Sequence, residues 1–281
     1  MKITIINTGF FKLDGGAMFG VVPRRMWGKL NPPDHNNMCT WAMRCLLVEI
    51  GDKKILIDTG MGNKQDARFQ SHFEPHGTDN LLQSLENDGI THEDITDVFL
   101  THLHFDHCGG ALSKNTEGVI YPTFPNATYW SNATHWQWAM SPNDREKASF
   151  LKENFEPLKT LGRLKFVEIQ EGIELFPNFH VHFAYGHTEA MMMIRLVTAD
   201  KTYFYSADLI PSQWHIPMPY VMAYDVRPLV SMVEKANILE QATRENWHFI
   251  FEHDPSVEAA TVVKNEQGKI VLNKIIKNIN A

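Results

Sequence analysis

Cysteine is scarce in this chain. It has three, Cys39, Cys45 and Cys108, an odd count with no Cys-x-x-Cys spacing. That excludes a disulfide framework and fits reduced thiols, so we expect a cytoplasmic protein. Long apolar runs are also missing. The first residues, MKITIINTGFF, place one Lys before a short β-like run and lack the apolar core of a secretory signal. We therefore expect neither a leader nor a membrane span. No block of Lys or Arg stands out, and the net charge is -7 with a pI near 6.0, which argues against a broad nucleic-acid surface. Repeats, low-complexity tracts and linkers are absent, so residues 1–281 read as a single domain. What is present is an ordinary globular composition, 43% hydrophobic and 21% charged. A chain of this length and composition can bury its own core without cross-links.

Local patterns predict the elements. Lys2 to Thr8 reads as a strand, followed by a Gly-rich aromatic stretch from Gly15 to Trp27 and a polar loop with Pro32-Pro33. The runs Met43–Ile50 and Lys54–Asp58, joined at Gly51-Asp52, read as a β-hairpin. Residues 78–88, with Leu81, Leu82 and Leu85 before Gly89, predict a short amphipathic helix. Ile95–Leu100 and Ala127–Trp130 predict strands, and the charged residues 144–161 a helix. The stretch 164–209 reads as several strands broken at Gly172, Pro177, Gly186 and Asp200-Lys201. Residues 228–244 predict a helix with Leu229, Met232, Val233, Ala236 and Leu239 on one side, and His248–Phe251 a late strand. Strands cluster early and again in the middle, each cluster followed by helices. The expected class is α/β, two sheets face to face with helices outside.

The segment Thr101-His102-Leu103-His104-Phe105-Asp106-His107 puts four candidate metal ligands within six residues. Imidazole nitrogens and carboxylate oxygens are what zinc and similar divalent ions bind. The segment follows an apolar strand and leads into Gly109-Gly110, a suitable place to turn several side chains toward one point. Asp106 and His107 are too crowded to serve the same ion as His102 and His104, which suggests two metal positions.

HLHFDH resembles the HxHxDH signature of the metallo-β-lactamase superfamily, and the likeness extends over most of the chain. Leu56-Ile57-Asp58-Thr59-Gly60 is similar to its early motif, and Gly186-His187-Thr188, Ser206-Ala207-Asp208 and Phe251-Glu252-His253-Asp254 to its later ones, in order and spacing. The departure is Ser206-Ala207 where the family usually has Gly before the Asp. The resemblance implies a four-layer αβ/βα sandwich of two mixed β-sheets with outer helices. It also implies two divalent ions per chain, zinc first, with iron, manganese or cobalt as alternatives. His102, His104 and His187 would hold one ion, and Asp106, His107 and His253 the other. Asp208 would bridge them, and Asp58 would orient the HxHxDH loop from behind. His180 and His182, two alternating strand residues, are the nearest decoys; His187 already fills the family position.

Two adjacent divalent ions can share a hydroxide at neutral pH, and Asp106 could then pass a proton to the leaving group. With Asp208 as the other catalytic carboxylate, the expected function is hydrolysis of an ester or lactone-like small molecule. A phosphotriester or a glyoxalase-II-like thioester is the alternative, and a non-hydrolytic diiron redox module a further one. The resemblance is nearest the lactonase and methyl-parathion-hydrolase branch. Many lactonases there carry a Tyr soon after the bridging Asp; here Leu209-Ile210-Pro211 stands in that place, leaving Tyr220 or Tyr224 as substitutes. Met18, Phe19, Trp27, Trp214 and His215 are the candidate substrate contacts, with Gly15–Trp27 as a flap or wall. The other reading of these residues is core packing, and Trp136 and Trp138 read equally well as structural. The expected partner is a small-molecule substrate, without nucleic acid or membrane; a homodimer is compatible with the chain.

Overall fold

The computed structural model describes residues 1–277 and 279. The chain divides into two compact units, the first with residues 1–9 and 43–170, the second with Phe10–Ala42 and Glu171–Ile279. Two large sheets run in the order β1 (Lys2–Asp14), β2 (Met38–Ile50), β3 (Lys53–Ile57), β4 (Asp97–Phe99), β7 (Thr128–Asn132), β8 (Leu164–Val167), and β15 (Ile270–Ile276), β14 (Ala259–Lys264), β13 (His248–Ile250), β12 (Thr202–Tyr205), β11 (Met191–Val197), β10 (Phe179–Ala184), β9 (Ile173–Phe176). A small hairpin, β5 (Leu112–Lys114) and β6 (Ile120–Pro122), stands apart. Both large sheets are mixed. β2–β3 is antiparallel, whereas β3–β4, β4–β7 and β7–β8 are parallel. In the second sheet only β12–β13 is parallel. The fold is α/β with two mixed sheets, as the sequence predicts.

The core of the first unit is aliphatic: Leu47, Leu56, Val98, Leu100 and Leu103 pack with Tyr129 and Phe155, all at most 1% exposed. The parallel strands β3 and β4 are buried, as parallel strands covered on both faces are.

Two expectations change. Residues 144–161 are not one helix. They break into turns, a 3-10 turn at Lys152–Asn154 and a short helix Glu156–Thr160 that starts with Pro157 near its N-terminus. Proline has no N–H and clashes with the preceding turn, so it begins a helix but cannot sit inside one. The helix Pro228–Glu245 forms as predicted, but its buried face is Ser231, Lys235, Ile238, Leu239 and Ala242. Leu229 and Val233 lie on the outside, 77% and 61% exposed. Close packing turns the helix: a Cβ on Gly186 would stand 2.2 Å from Ser231 Oγ.

Candidate metal centre

In the first unit the site grows from the ends of two parallel strands. β3 and β4 finish in register at Ile57 and Phe99, and Asp58 N donates to Phe99 O at 2.9 Å. The chain beyond each end carries polar side chains into the loop region where parallel sheets place their ligand sites. Asp58, fully buried and at φ +57°, accepts from Thr101 N at 2.8 Å, from Thr101 Oγ1 at 2.7 Å and from His107 Nδ1 at 3.1 Å. Thr101 gives its hydroxyl proton to Asp58, so its oxygen accepts from His102 Nδ1, 3.1 Å away. His102 Nε2 then faces His104 Nδ1 at 3.0 Å, while His104 Nε2 donates to Glu146 Oε1 at 3.2 Å. His107 Nε2 stands 3.7 Å from Asp106 Oδ2. His102, His104, Asp106 and His107 are all buried. Gly109 and Gly110 let this loop approach its neighbour: a Cβ at either would come within 2.0 Å of Met61 O or 2.2 Å of Thr59 O.

The second unit repeats the device. β12 and β13 are parallel and finish in register at Tyr205 and Ile250. Beyond them lie Asp208 and His253, and the loop after β10 brings His187. His187 Nε2 is 3.1 Å from Asp208 Oδ2, and His253 Nε2 is 3.0 Å from Asp208 Oδ1. The remaining nitrogens are anchored: His187 Nδ1 on Asp225 Oδ1 at 2.9 Å, His253 Nδ1 on the carbonyl of Ala42 at 2.7 Å. Burial works against charge on His187, yet Asp208 and Asp225 outweigh it and lift the imidazole to about 10. Ala207, where the family pattern has Gly, sits at φ +43°, a left-handed conformation that disfavours side chains.

A common pattern emerges within the units. His107, His187 and His253 each fix Nδ1 on an acceptor and turn Nε2 toward a carboxylate. His253 is the clearest case. A carbonyl can only accept, so Nδ1 carries a proton and Nε2 turns toward Asp208 Oδ1. An imidazole nitrogen and a carboxylate oxygen 3.0 Å apart call for positive charge between them, a proton or a metal ion. The donor set therefore fits a cation, and orientation of one imidazole nitrogen by a polar partner is how metal-binding histidines are usually held.

The substrate-contact candidates gather within the second unit, not around an open loop. Gly15–Phe19 and Arg24–Trp27 are short helices. Met18, Phe19, Trp27 and His215 are at most 1% exposed; Trp214 is partly exposed. Phe19 stacks on Trp27 at 5.2 Å and on His215 at 5.3 Å, and meets Trp41 and Trp214 at 5.6 and 6.3 Å. His215 Nε2 donates to Met18 O at 2.9 Å, and burial drives this imidazole down to about 3. Met18, Phe19 and Trp27 of the Gly15–Trp27 stretch are thus packed as core residues are. Tyr220 stands edge-on to Phe19 at 6.1 Å, whereas Tyr224 is exposed. Of the decoys, His182 pairs with Glu171 and packs near Phe204 and Trp247, and His180 Nδ1 lies 3.4 Å from Gly172 O.

Sequence reading missed Glu146, Asp225, Trp41 and Lys235. Each is remote in sequence from the residue it holds, and none sits in a recognisable pattern. Trp138, read as structural, donates its Nε1 proton to Glu146 Oε2 at 2.7 Å.

The family model described as the metallo-beta-lactamase superfamily matches residues 44–243. A solved structure of a probable metal-dependent hydrolase from Staphylococcus aureus superposes with a TM-score of 0.85 at 26% identity, covering 98% of this chain and 97% of that one. A dizinc quorum-quenching lactonase, AidC, solved with N-hexanoyl-homoserine as its product, gives a TM-score of 0.76 at 22% identity, covering 98% and 95%. N-acyl homoserine lactonase from Bacillus cereus is 25% identical over 180 residues, 60% of this chain and 62% of that protein. Integrator complex subunit 11 from Danio rerio is 24% identical over 176 residues, 58% of this chain and 27% of that protein. The chain thus spans about a quarter and about six-tenths of these two relatives.

Proposed function

Since this chain belongs to the metallo-beta-lactamase superfamily of metal-dependent hydrolases, we propose that it cleaves an ester or lactone-like small molecule with two divalent ions. In this reading residues 1–281 act as one functional domain. His102, His104 and His187 hold one ion, Asp106, His107 and His253 the other, and Asp208 both. Bound ions of this kind lower the pKa of water to about 7 and polarise a carbonyl or phosphoryl oxygen.

The single observation that carries the reading is the anchored imidazole: a protonated Nδ1 on a fixed acceptor, and Nε2 aimed at a carboxylate about 3 Å away in His187 and His253. Pre-set ligands need little reorganisation when an ion arrives. Asp58 supports the HxHxDH loop, with three hydrogen bonds from Thr101 and His107. Asp106, buried but not fully so at 7% exposure, is our candidate for moving a proton to the leaving group. The aromatic wall of Phe19, Trp27, Trp214 and His215, with the Met18 backbone behind it, would bound an apolar acyl or aryl group. Such a wall discriminates weakly, by about 1–3 kcal/mol per methylene, so substrate tolerance should be broad. All three cysteines are free and buried, which suits the reducing cytoplasm we propose. No helix among the described residues is long and apolar enough to cross a membrane.

The test joins elemental analysis to a substrate panel of a lactone, an aryl ester, a thioester and a phosphotriester. Two ions per chain and turnover of lactone or ester are expected. Asp208→Ala should lower metal content and abolish most turnover, because it frees both ions. Full activity with one tightly bound ion would overturn the bridged pair. Turnover restricted to the thioester or the phosphotriester would move the substrate class.

A further inference from the structure

Among the histidines of the HxHxDH loop, His104 is held in the opposite sense. Its Nε2, not Nδ1, meets an acceptor, Glu146 Oε1 at 3.2 Å, and its Nδ1 faces His102 Nε2 at 3.0 Å. Two nitrogen ligands of one tetrahedral zinc stand about 3.3 Å apart, given bonds of roughly 2.0–2.1 Å. Glu146 is itself a buried carboxylate, with its side chain 2% exposed. Its other oxygen, Oε2, accepts from Trp138 Nε1 at 2.7 Å and from Asn143 Nδ2 at 3.1 Å. Both partners donate only N–H protons, so they hold Glu146 as the charged acceptor. The same segment grips the loop backbone: Phe105 N donates to Ser149 O at 2.9 Å, and Phe150 lies against the His104 ring at 4.7 Å. The helix Ala133–Met140, which carries Trp138, also supplies His135 Nε2 as acceptor for Leu103 N at 2.8 Å.

We propose that Glu146 is a positioning residue for the metal centre. It fixes His104 in the tautomer with the proton on Nε2, which leaves the Nδ1 lone pair free to bind an ion. This rests on the proposed reading of His104 as a ligand. Carboxylate-to-imidazole support of this kind changes metal affinity by roughly 10–100-fold. Glutamine keeps the shape of Glu146 but has a single oxygen. If that oxygen serves His104, the amide NH2 meets the N–H groups of Trp138 and Asn143; if it serves them, His104 loses its acceptor.

The experiment titrates metal-free wild type, Glu146→Gln and Glu146→Ala with Zn2+ and Co2+ against a chelator. It also records the visible absorption of the Co2+ forms and the melting of the metal-free forms. The wild type should bind two ions. Both variants should weaken one of them by about ten- to a hundredfold and shift the cobalt band, while the second ion binds within about threefold of wild type. If Glu146→Ala fails to fold, the isosteric Glu146→Gln carries the test. Wild-type affinities and an unchanged cobalt band in Glu146→Gln would overturn the proposal, even if melting fell. If His104→Ala kept both affinities, the ligand assignment itself would fail, an outcome separable from a failure of Glu146 alone.

Discussion

Lys235 lies on the buried face of the helix Pro228–Glu245, 1% exposed, with its ammonium pointing at four carbonyls. Nζ donates to His215 O at 3.0 Å, Pro217 O at 3.1 Å, Met218 O at 3.2 Å and Tyr220 O at 2.9 Å. Three protons thus serve four acceptors, all on the loop from His215 to Tyr220. Lys235→Met keeps the stem and removes the donors. Burial pulls this lysine from 10.5 down to about 8, a charge penalty of roughly 3 kcal/mol. Against this stand three charge-assisted bonds at about 1.5–3 kcal/mol each. The difference predicts that Lys235→Met loses about 3 kcal/mol, within a factor of two, or roughly 6–12 °C of Tm. The assay is thermal melting of the metal-free protein across pH. A lysine with a depressed folded pKa binds fewer protons folded than unfolded between pH 8 and 10.5. Wild-type stability should therefore rise with pH through that window relative to Lys235→Met. A variant as stable as wild type at pH 7 would show that desolvation outweighs the carbonyl cage and would refute the reasoning. Since His215 donates to Met18 O and stacks on Phe19, a loosened loop should also raise KM.

Three further outcomes are expected. Gly109→Ala would set a Cβ 2.0 Å from Met61 O, costing about 3 kcal/mol or more and lowering both Tm and metal content; wild-type values for both would contradict the packing described. His180→Ala and His182→Ala should leave the metal content unchanged by elemental analysis, with a stability loss for the buried His182 alone; loss of one metal equivalent would mean that the decoy is a ligand. Phe19→Ala removes a fully buried ring and should cost about 3–5 kcal/mol without loss of metal. If substrate preference in its folded fraction stayed at wild type, Phe19 would serve the core and not the substrate wall.

The legible part of this protein is the part that is local in sequence. HLHFDH crowds its candidate ligands into one loop, and the strand ends that feed Asp58, Asp208 and His253 are marked by apolar runs closing on a polar residue. The order of motifs carries His187, which periodicity alone would leave as a loop histidine. Glu146, Asp225 and Lys235 were illegible for the opposite reason. Each holds a group tens of residues away, as in Asp225 on His187 and Glu146 on His104, and a lone acid or lysine in a sequence reads as surface. The period finds the helix Pro228–Glu245 and places Leu239 on its buried side, but apolarity also favours Leu229 and Val233, which lie outside, while the actual contact selects Ser231 and Lys235. Phe19 and Trp27 were recognised as aromatic but could not be told from core, and the structure gives them the burial of core residues.

Two of the parallel strand pairs, those that end ahead of Asp58 and ahead of Asp208 and His253, have a consequence for how the protein is born. β3 with β4, and β12 with β13, can pair only after long intervening segments have folded back, residues 58–96 in one case and 206–247 in the other. Closing such loops costs chain entropy before any contact rewards it, so these pairings form late. Asp208 and His253 are neighbours only once β12 and β13 have zipped. A nascent chain still on the ribosome at residue 208 therefore owns this carboxylate but not the histidine that lies 3.0 Å from it in the folded protein. If Asp208 and His253 hold an ion as proposed, metal selection is deferred to the finished fold, and the ion found in the purified protein reports the pool available after synthesis, not the one met during it.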